Sequence, residues 1–235
     1  MGKSVRTVFK RLEKKYLLSA SQYEAICSAM GAHIQPDEYG EYTICNVYLD
    51  TANDDLIRRS VEKPVFKEKL RVRSYGVPNA NDRVFLEIKR KCKGSVYKRR
   101  VSMTSAQLQT YLETGEHPWA QSQIFSEIDW FMRFYAPVPK LFLAYDRVAF
   151  RGIAEPGLRI TFDKNIRYRR TPLDLSAGAD GELLLPQGQY IMEIKTDGAM
   201  PLWLCEILST AQIYPTSFSK YGNIYKKQIQ SKRGA

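Results

Sequence analysis

"KLRVRSYG", residues 69–76, sets Lys69, Arg71 and Arg73 at every second position with Leu70 and Val72 between them. Successive side chains of a β-strand point to opposite faces, so the three cations share one face at a spacing of roughly 6.5 Å and the two aliphatic residues share the other. Such a strand is apolar on one side and charged on the other. The fold turns on what the charged side meets: water, a partner, or an anion held inside the protein.

The same alternation recurs along the chain in "ICNVYLD" (44–50), "RVFLEIKRK" (83–91), "SVYKRRV" (95–101), "KLFLAYDRVAF" (140–150), "LRITFD" (158–163) and "YIMEIKT" (190–196). Glu87 shares a face with Lys89, Lys98 with Arg100, Tyr145 with Arg147, Arg159 with Thr161, and Glu193 with Lys195. Arg11, Glu13 and Lys15 repeat the pattern near the start. Gly94 separates two of these strands at hairpin distance, and short turns of this kind make neighbouring strands antiparallel.

Four amphipathic helices accompany them. "SASQYEAICSAMG" reads as a helix capped by Ser21 and Glu24 and stopped by Gly31, and "MTSAQLQTYLETG" as one capped by Thr104 and Gln107 and stopped by Gly115. A third runs through "SQIFSEIDWFMRFY" to Pro137, and a fourth through "PLWLCEILSTAQIY" with Pro201 in its first turn. The basic end, "KKQIQSKRGA" (226–235), reads as a frayed tail on a single domain spanning 1–235.

Composition narrows the partners. The 235 residues include 36 Lys and Arg against 25 Asp and Glu, a net charge of +11, and 44% hydrophobic residues suffice for a sizeable core. Phosphate-rich ligands suit that charge. Cys27, Cys45, Cys92 and Cys205 form no C-x-x-C pair, which argues against a zinc cluster or a disulfide framework. No apolar run approaches the roughly 20 residues of a membrane span, and the N-terminus lacks a secretory pattern, so a soluble cytoplasmic protein is expected.

Each charged face, taken singly, reads as an ordinary solvated surface. Repetition suggests a second reading, in which helices cover the outside of a closed sheet and the charges line the inside, where a polyanion balances them. Glu13, Glu87 and Glu193 sit on the same faces as the cations. They are either ligands for a divalent metal beside phosphates or local ion-pair partners of the neighbouring Lys and Arg. His33 and His117 have no triad context, and neither a G-x-x-x-x-G-K-[ST] loop nor a G-x-G-x-x-G turn is present, so any nucleotide is held by side chains.

In order, "RLEKKYLLS", "VYLDT", "LIRRS", "KLRVRSYG", "VFLEIKRK", "GSVYKRRV", "YDRVAFRG", "LRITFD", "IMEIKTDG" and "SFSKYG" resemble the catalytic domain of the vacuolar transporter chaperone (VTC) family, polyphosphate polymerases of the triphosphate tunnel metalloenzyme superfamily. The resemblance covers nearly the whole chain. It implies an α+β fold: an antiparallel β-barrel tunnel with a mainly basic interior, flanked by about four helices. It implies that Lys15, Arg71, Arg73, Lys89, Lys98, Arg147, Arg159 and Lys220 grip phosphates during catalysis, with Tyr145 binding substrate. Lys69, Arg100 and Lys195, on the same faces, join as substrate-binding candidates, and Glu193 becomes the foremost candidate for holding Mn²⁺ or Mg²⁺, with Glu13 and Glu87 beside it.

The implied reaction moves the γ-phosphate of ATP onto a polyphosphate chain, with ATP and polyphosphate as partners and no nucleic acid. The superfamily's triphosphatases begin with Glu-x-Glu-x-Lys, whereas Arg11 stands in the first position here, which favours transfer over hydrolysis. A metal-dependent triphosphatase and a non-catalytic polyphosphate-binding module are the alternatives. The phosphate-sensing domain and membrane spans of eukaryotic members are missing, which suggests a prokaryotic form with a separate membrane partner.

Overall fold

The computed structural model describes residues 12–62, 64–93, 95–117 and 122–233. Gly94 and Arg11, which figure in the sequence reading, lie outside them. In chain order the elements are β1 (Leu12–Leu18), α1 (Ala20–Met30), β2 (Ile34–Asp50), α2 (Asp55–Val61), β3 (Phe66–Tyr75), β4 (Arg83–Cys92), β5 (Ser95–Thr104) and α3 (Ser105–Thr114). There follow α4 (Gln123–Tyr135), β6 (Val138–Gly152), β7 (Arg159–Arg169), β8 (Glu182–Leu183), β9 (Tyr190–Thr196), α5 (Leu202–Thr210), β10 (Pro215–Thr216) and α6 (Lys220–Arg233).

The strands form a ten-stranded sheet in the order β10-β1-β9-β7-β6-β2-β3-β4-β5, with β8 paired to β7. The α+β class and the antiparallel pairing match the sequence reading. Two details differ. The strand path is open among the described residues, with β10 and β5 at its ends, instead of closing on itself as a barrel. Six helices are present among those residues instead of about four.

The additional helices are α2 and α6, and each has a cap or anchor remote from its own pattern. Asp50, at the end of β2, accepts hydrogen bonds from the backbone N–H groups of Leu56 and Ile57 at 2.9 Å each, which supplies α2 with its N-terminal acceptor. The same carboxylate accepts the Tyr221 hydroxyl at 3.3 Å, tying down α6, whose Tyr221 and Ile224 are buried. From its first turn α6 stays helical through Arg233, across the stretch read from sequence as a frayed tail. At α1 the capping box is formed by Ser19 and Gln22, not Ser21 and Glu24. The box at Thr104 and Gln107 forms as read, and Gly115 closes α3 at φ 74°, a left-handed position that glycine adopts without steric cost.

The described residues fall into two compact units. The first takes in residues up to Tyr42, Asp146–Asn165 and Leu185–Phe218. Its core joins Tyr16 and Leu18 of β1, Ile160 and Phe162 of β7, and Met192 and Ile194 of β9 to Ile26 and Met30 of α1 and Leu204 and Leu208 of α5. Those strand residues are the period-two apolar set, so Glu13, Lys15, Glu193 and Lys195 fall on the opposite face.

The second unit comprises Thr43–Tyr145, Ile166–Leu184 and the chain from Ser219 onward. Leu70 and Val72 of β3, Leu86 and Ile88 of β4 and Met103 of β5 pack with Phe125, Ile128 and Phe131 of α4. Burying each such side chain contributes about 1.5–3 kcal/mol. The Tyr135 hydroxyl donates to Glu68 at 3.0 Å, and Glu127 pairs with Arg90 and Arg99, so α4 is fixed to the apolar side of β3–β5. This leaves the other side of those strands, with every residue of the opening stretch's charged set, to the candidate site.

Candidate functional site

Strand register in the second unit converts the alternation into transverse rows. Lys69 lies opposite Lys89, and Lys89 opposite Lys98, so three lysines stand side by side on β3, β4 and β5. One step along, Arg71 faces Glu87 and Glu87 faces Arg100, while on β2 Tyr48 faces Arg71 and Asn46 faces Arg73. Neighbouring strands lie about 4.8 Å apart, and like charges directly opposite one another are destabilising.

Glu87 is the internal counter-ion of this array. Its Oε2 lies 2.8 Å from an Arg71 guanidinium nitrogen and 3.8 Å from Arg73 Nε, and its Oε1 lies 2.6 Å from Lys98 Nζ. Burial pushes the Glu87 carboxyl up, but Arg71, Arg73 and Lys98 outweigh it and hold the group down at about 2. Burial, aided by repulsion from Arg73 and Arg71, lowers Lys98 to about 8 against the attraction of Glu87. Three cations surround this one carboxylate, so Glu87 forms the local ion pairs that the sequence reading offered as one of its two roles.

Further side chains fix the guanidinium groups in place. Arg71 donates to the Tyr48 hydroxyl at 3.2 Å, and Arg73 donates from Nε to Asn46 Oδ1 at 3.0 Å and from Nη2 to the Tyr145 hydroxyl at 3.2 Å. Asn46 in turn donates to the Leu143 carbonyl at 3.0 Å. Burial opposes ionisation of Tyr48, yet Arg71 and Lys69 lower its hydroxyl below the usual tyrosine range. From the start of α6, Ser219 Oγ accepts from Lys69 at 2.9 Å and the Lys220 ammonium lies 4.4 Å above the Tyr145 ring.

The first unit carries a second charged face. Lys15 of β1 sits between Glu13 Oε1 at 3.4 Å and Glu193 Oε2 at 3.5 Å, and Glu193 Oε1 is 2.6 Å from Lys195 Nζ. Burial works against the Lys15 charge, but Glu193 and Glu13 raise its pKa above the ordinary lysine value. Arg159, opposite Lys195, reaches Asp37 at 3.3 Å, and Arg147 makes a bidentate pair with the buried Asp163 at 2.6 and 2.9 Å. Among the described residues Arg159 Nε and Thr161 Oγ1 are buried without a hydrogen-bond partner, and Thr161 lies opposite Glu193.

Of the residues singled out from sequence, Lys69, Arg71, Arg73, Glu87, Lys89, Lys98, Arg100, Tyr145 and Lys220 therefore belong to the second unit, and Glu13, Lys15, Arg147, Arg159, Glu193 and Lys195 to the first. Sequence reading passed over Asn46, Tyr48 and Ser219. Asn46 and Tyr48 alternate with Val47 and Leu49 in "ICNVYLD", and that polar pair was the available signal. Among the described residues no three His, Cys, Asp or Glu side chains gather as ligands for a metal ion. No helix among them is long and apolar enough to cross a membrane.

An antiparallel sheet backed by helices, with cations aligned on the strand faces away from the helices, defines the α+β architecture of this chain. The chain belongs to the VTC domain family, whose profile matches residues 10–229. It shares its fold with a candidate adenylate cyclase from Bacillus halodurans, at 15% identity and a TM-score of 0.54 over 89% of this chain and 93% of that one. A candidate adenylate cyclase from Vibrio parahaemolyticus is similar at 10% identity and a TM-score of 0.50, over 94% of this chain and 99% of the other. No curated protein matches the sequence.

Proposed function

We propose that the chain is a polyphosphate polymerase, transferring the γ-phosphate of ATP to the terminal phosphate of a growing chain and releasing ADP. The observation that carries this reading is the lysine row Lys69, Lys89 and Lys98 beside Arg71 and Arg73. Five cations share their face with a single carboxylate, Glu87, that pairs with Arg71, Arg73 and Lys98. Such a surplus suits a ligand that brings several negative charges in line, and each charge-assisted hydrogen bond to it contributes about 1.5–3 kcal/mol.

In the reaction, the bond between the γ-phosphorus and the β,γ-bridging oxygen breaks, and a bond forms from the acceptor's terminal phosphate oxygen to that phosphorus. The acceptor is already ionised, so no general base or covalent intermediate is required. Arg71, Arg73, Lys89, Lys98 and Lys220 bind and orient phosphates in the second unit, and Lys15, Arg147 and Arg159 present phosphate-binding cations in the first. Tyr48 and Tyr145 keep the Arg71 and Arg73 guanidinium planes fixed, so little ordering remains for the ligand to impose.

A divalent metal fits the first unit better than the second. Glu13, Glu193 and the unpartnered Thr161 hydroxyl offer oxygen donors only, the set that Mg²⁺ and Mn²⁺ prefer. Glu193 and Glu13 would hold such an ion, which neutralises charge on the phosphoryl oxygens when bound.

Product analysis tests the proposal. The purified chain is incubated with ATP and Mn²⁺, with and without a short polyphosphate primer, and chains, ADP and free phosphate are quantified. Long chains matched by ADP support the polymerase. Free phosphate without chains replaces it with a triphosphatase, and neither product leaves a binding module.

A further inference from the structure

At one end of the second unit's charged face the rows change from cations to rings. Phe85 lies opposite Arg73 on one side and Ser102 on the other, and Tyr75 follows Arg73 on β3 one same-face step along, roughly 6.6 Å away. The Tyr75 and Phe85 rings meet edge to face with centroids 5.7 Å apart, and the Arg100 guanidinium carbon lies 4.7 Å from the Phe85 centroid. These rings are not core. The aliphatic residues of the same strands, Val72, Val84, Leu86 and Ile88, are buried on the opposite side, whereas Tyr75 is 51% exposed and Arg100 is exposed.

A polyphosphate chain has no use for aromatic surface, but a nucleotide does. A ligand whose phosphates lie along Arg71 and Arg73 reaches Tyr75, Phe85 and Arg100 with its other end. We infer that these three residues form a ledge that seats the base of the donor nucleoside triphosphate, an inference that rests on the nucleotide-using reading above. Every base has a π face, so stacking on a ring or a guanidinium plane separates nucleotides from inorganic phosphates without selecting one base strongly over another.

The test is calorimetric titration of the full chain with ATP, GTP and inorganic tripolyphosphate, repeated for Tyr75→Ala and Phe85→Ala. Both variants are expected to bind ATP and GTP about tenfold more weakly while tripolyphosphate affinity stays constant. Equal loss for all three ligands, or unchanged ATP affinity, overturns the ledge. If Phe85→Ala fails to fold, Tyr75→Ala, at an exposed position, carries the same comparison. If the unaltered chain binds ATP and the variants bind it equally well, the ledge alone falls; should the unaltered chain bind tripolyphosphate but not ATP or GTP, or none of the three, the nucleotide-using reading falls and the ledge with it.

Discussion

The Lys98 ammonium closes on Glu87 Oε1 at 2.6 Å while Arg71, on the far side of β4, holds the other oxygen of the same carboxylate at 2.8 Å. One buried anion thus bridges cations from β3 and β5, standing where the array would otherwise repel itself. Truncating Glu87→Ala leaves Arg71 and Arg73 without their anionic partner, and removing one member of a buried ion pair costs about 3–5 kcal/mol. Urea denaturation is expected to show a loss of that order, partly recovered by added tripolyphosphate. A variant as stable as the parent contradicts the counter-ion role.

The same carboxylate sets an acid limit. Its folded-state value, about 2, lies below the ordinary 4.5, so its stabilising contribution is present above pH 4.5 and is lost as pH falls toward 2. Melting temperature is expected to fall through that window, and less steeply in Glu87→Gln than in the parent.

At the alkaline end Lys98 governs binding. With its pKa lowered to about 8, its ammonium loses the proton as pH rises through that value, and phosphate affinity falls with it. Tripolyphosphate titrations at pH 7 and pH 9 are expected to show this decline in the parent and a flatter profile in Lys98→Arg, whose guanidinium stays charged.

Glu193 separates binding from chemistry. Glu193→Ala is expected to abolish nucleotide turnover and Mn²⁺ dependence while polyphosphate affinity, measured by titration, is retained or increased because a negative charge beside Lys15 and Lys195 is gone. Full turnover in this variant removes Glu193 from the metal role.

Asp50 tests the fold. Its carboxylate caps α2 through Leu56 and Ile57 and accepts from Tyr221 of α6. Asp50→Ala is expected to cost about 2 kcal/mol or more in urea denaturation, since both the cap and a buried acceptor are lost.

How much of this could be read from the chain follows from where each signal is stored. Alternation is local, so the charged and apolar faces of β3, β4, β5 and β9 were visible in the sequence, as were the caps Thr104 and Gly115, which act within one turn. The α2 helix was missed because its acceptor, Asp50, lies on the preceding strand, and α6 because its anchor is a tyrosine bonded to that same residue 171 positions away. The alignment of Lys69, Lys89 and Lys98 also lay beyond sequence reading, since register belongs to pairs of strands. Likewise, "EIK" reads alike in Glu87 and Glu193, and only the partners distinguish a carboxylate clamped by three cations from one paired with lysines.

The central claim, that the aligned cations serve a linear chain of phosphates, is tested most directly by measuring the affinity of the chain for polyphosphate and for duplex DNA at matched salt, in the parent and in Arg73→Ala. The account requires saturable polyphosphate binding much tighter than DNA binding, weakened in the variant. Equal affinity for the two polyanions, or polyphosphate binding indifferent to Arg73, would contradict it.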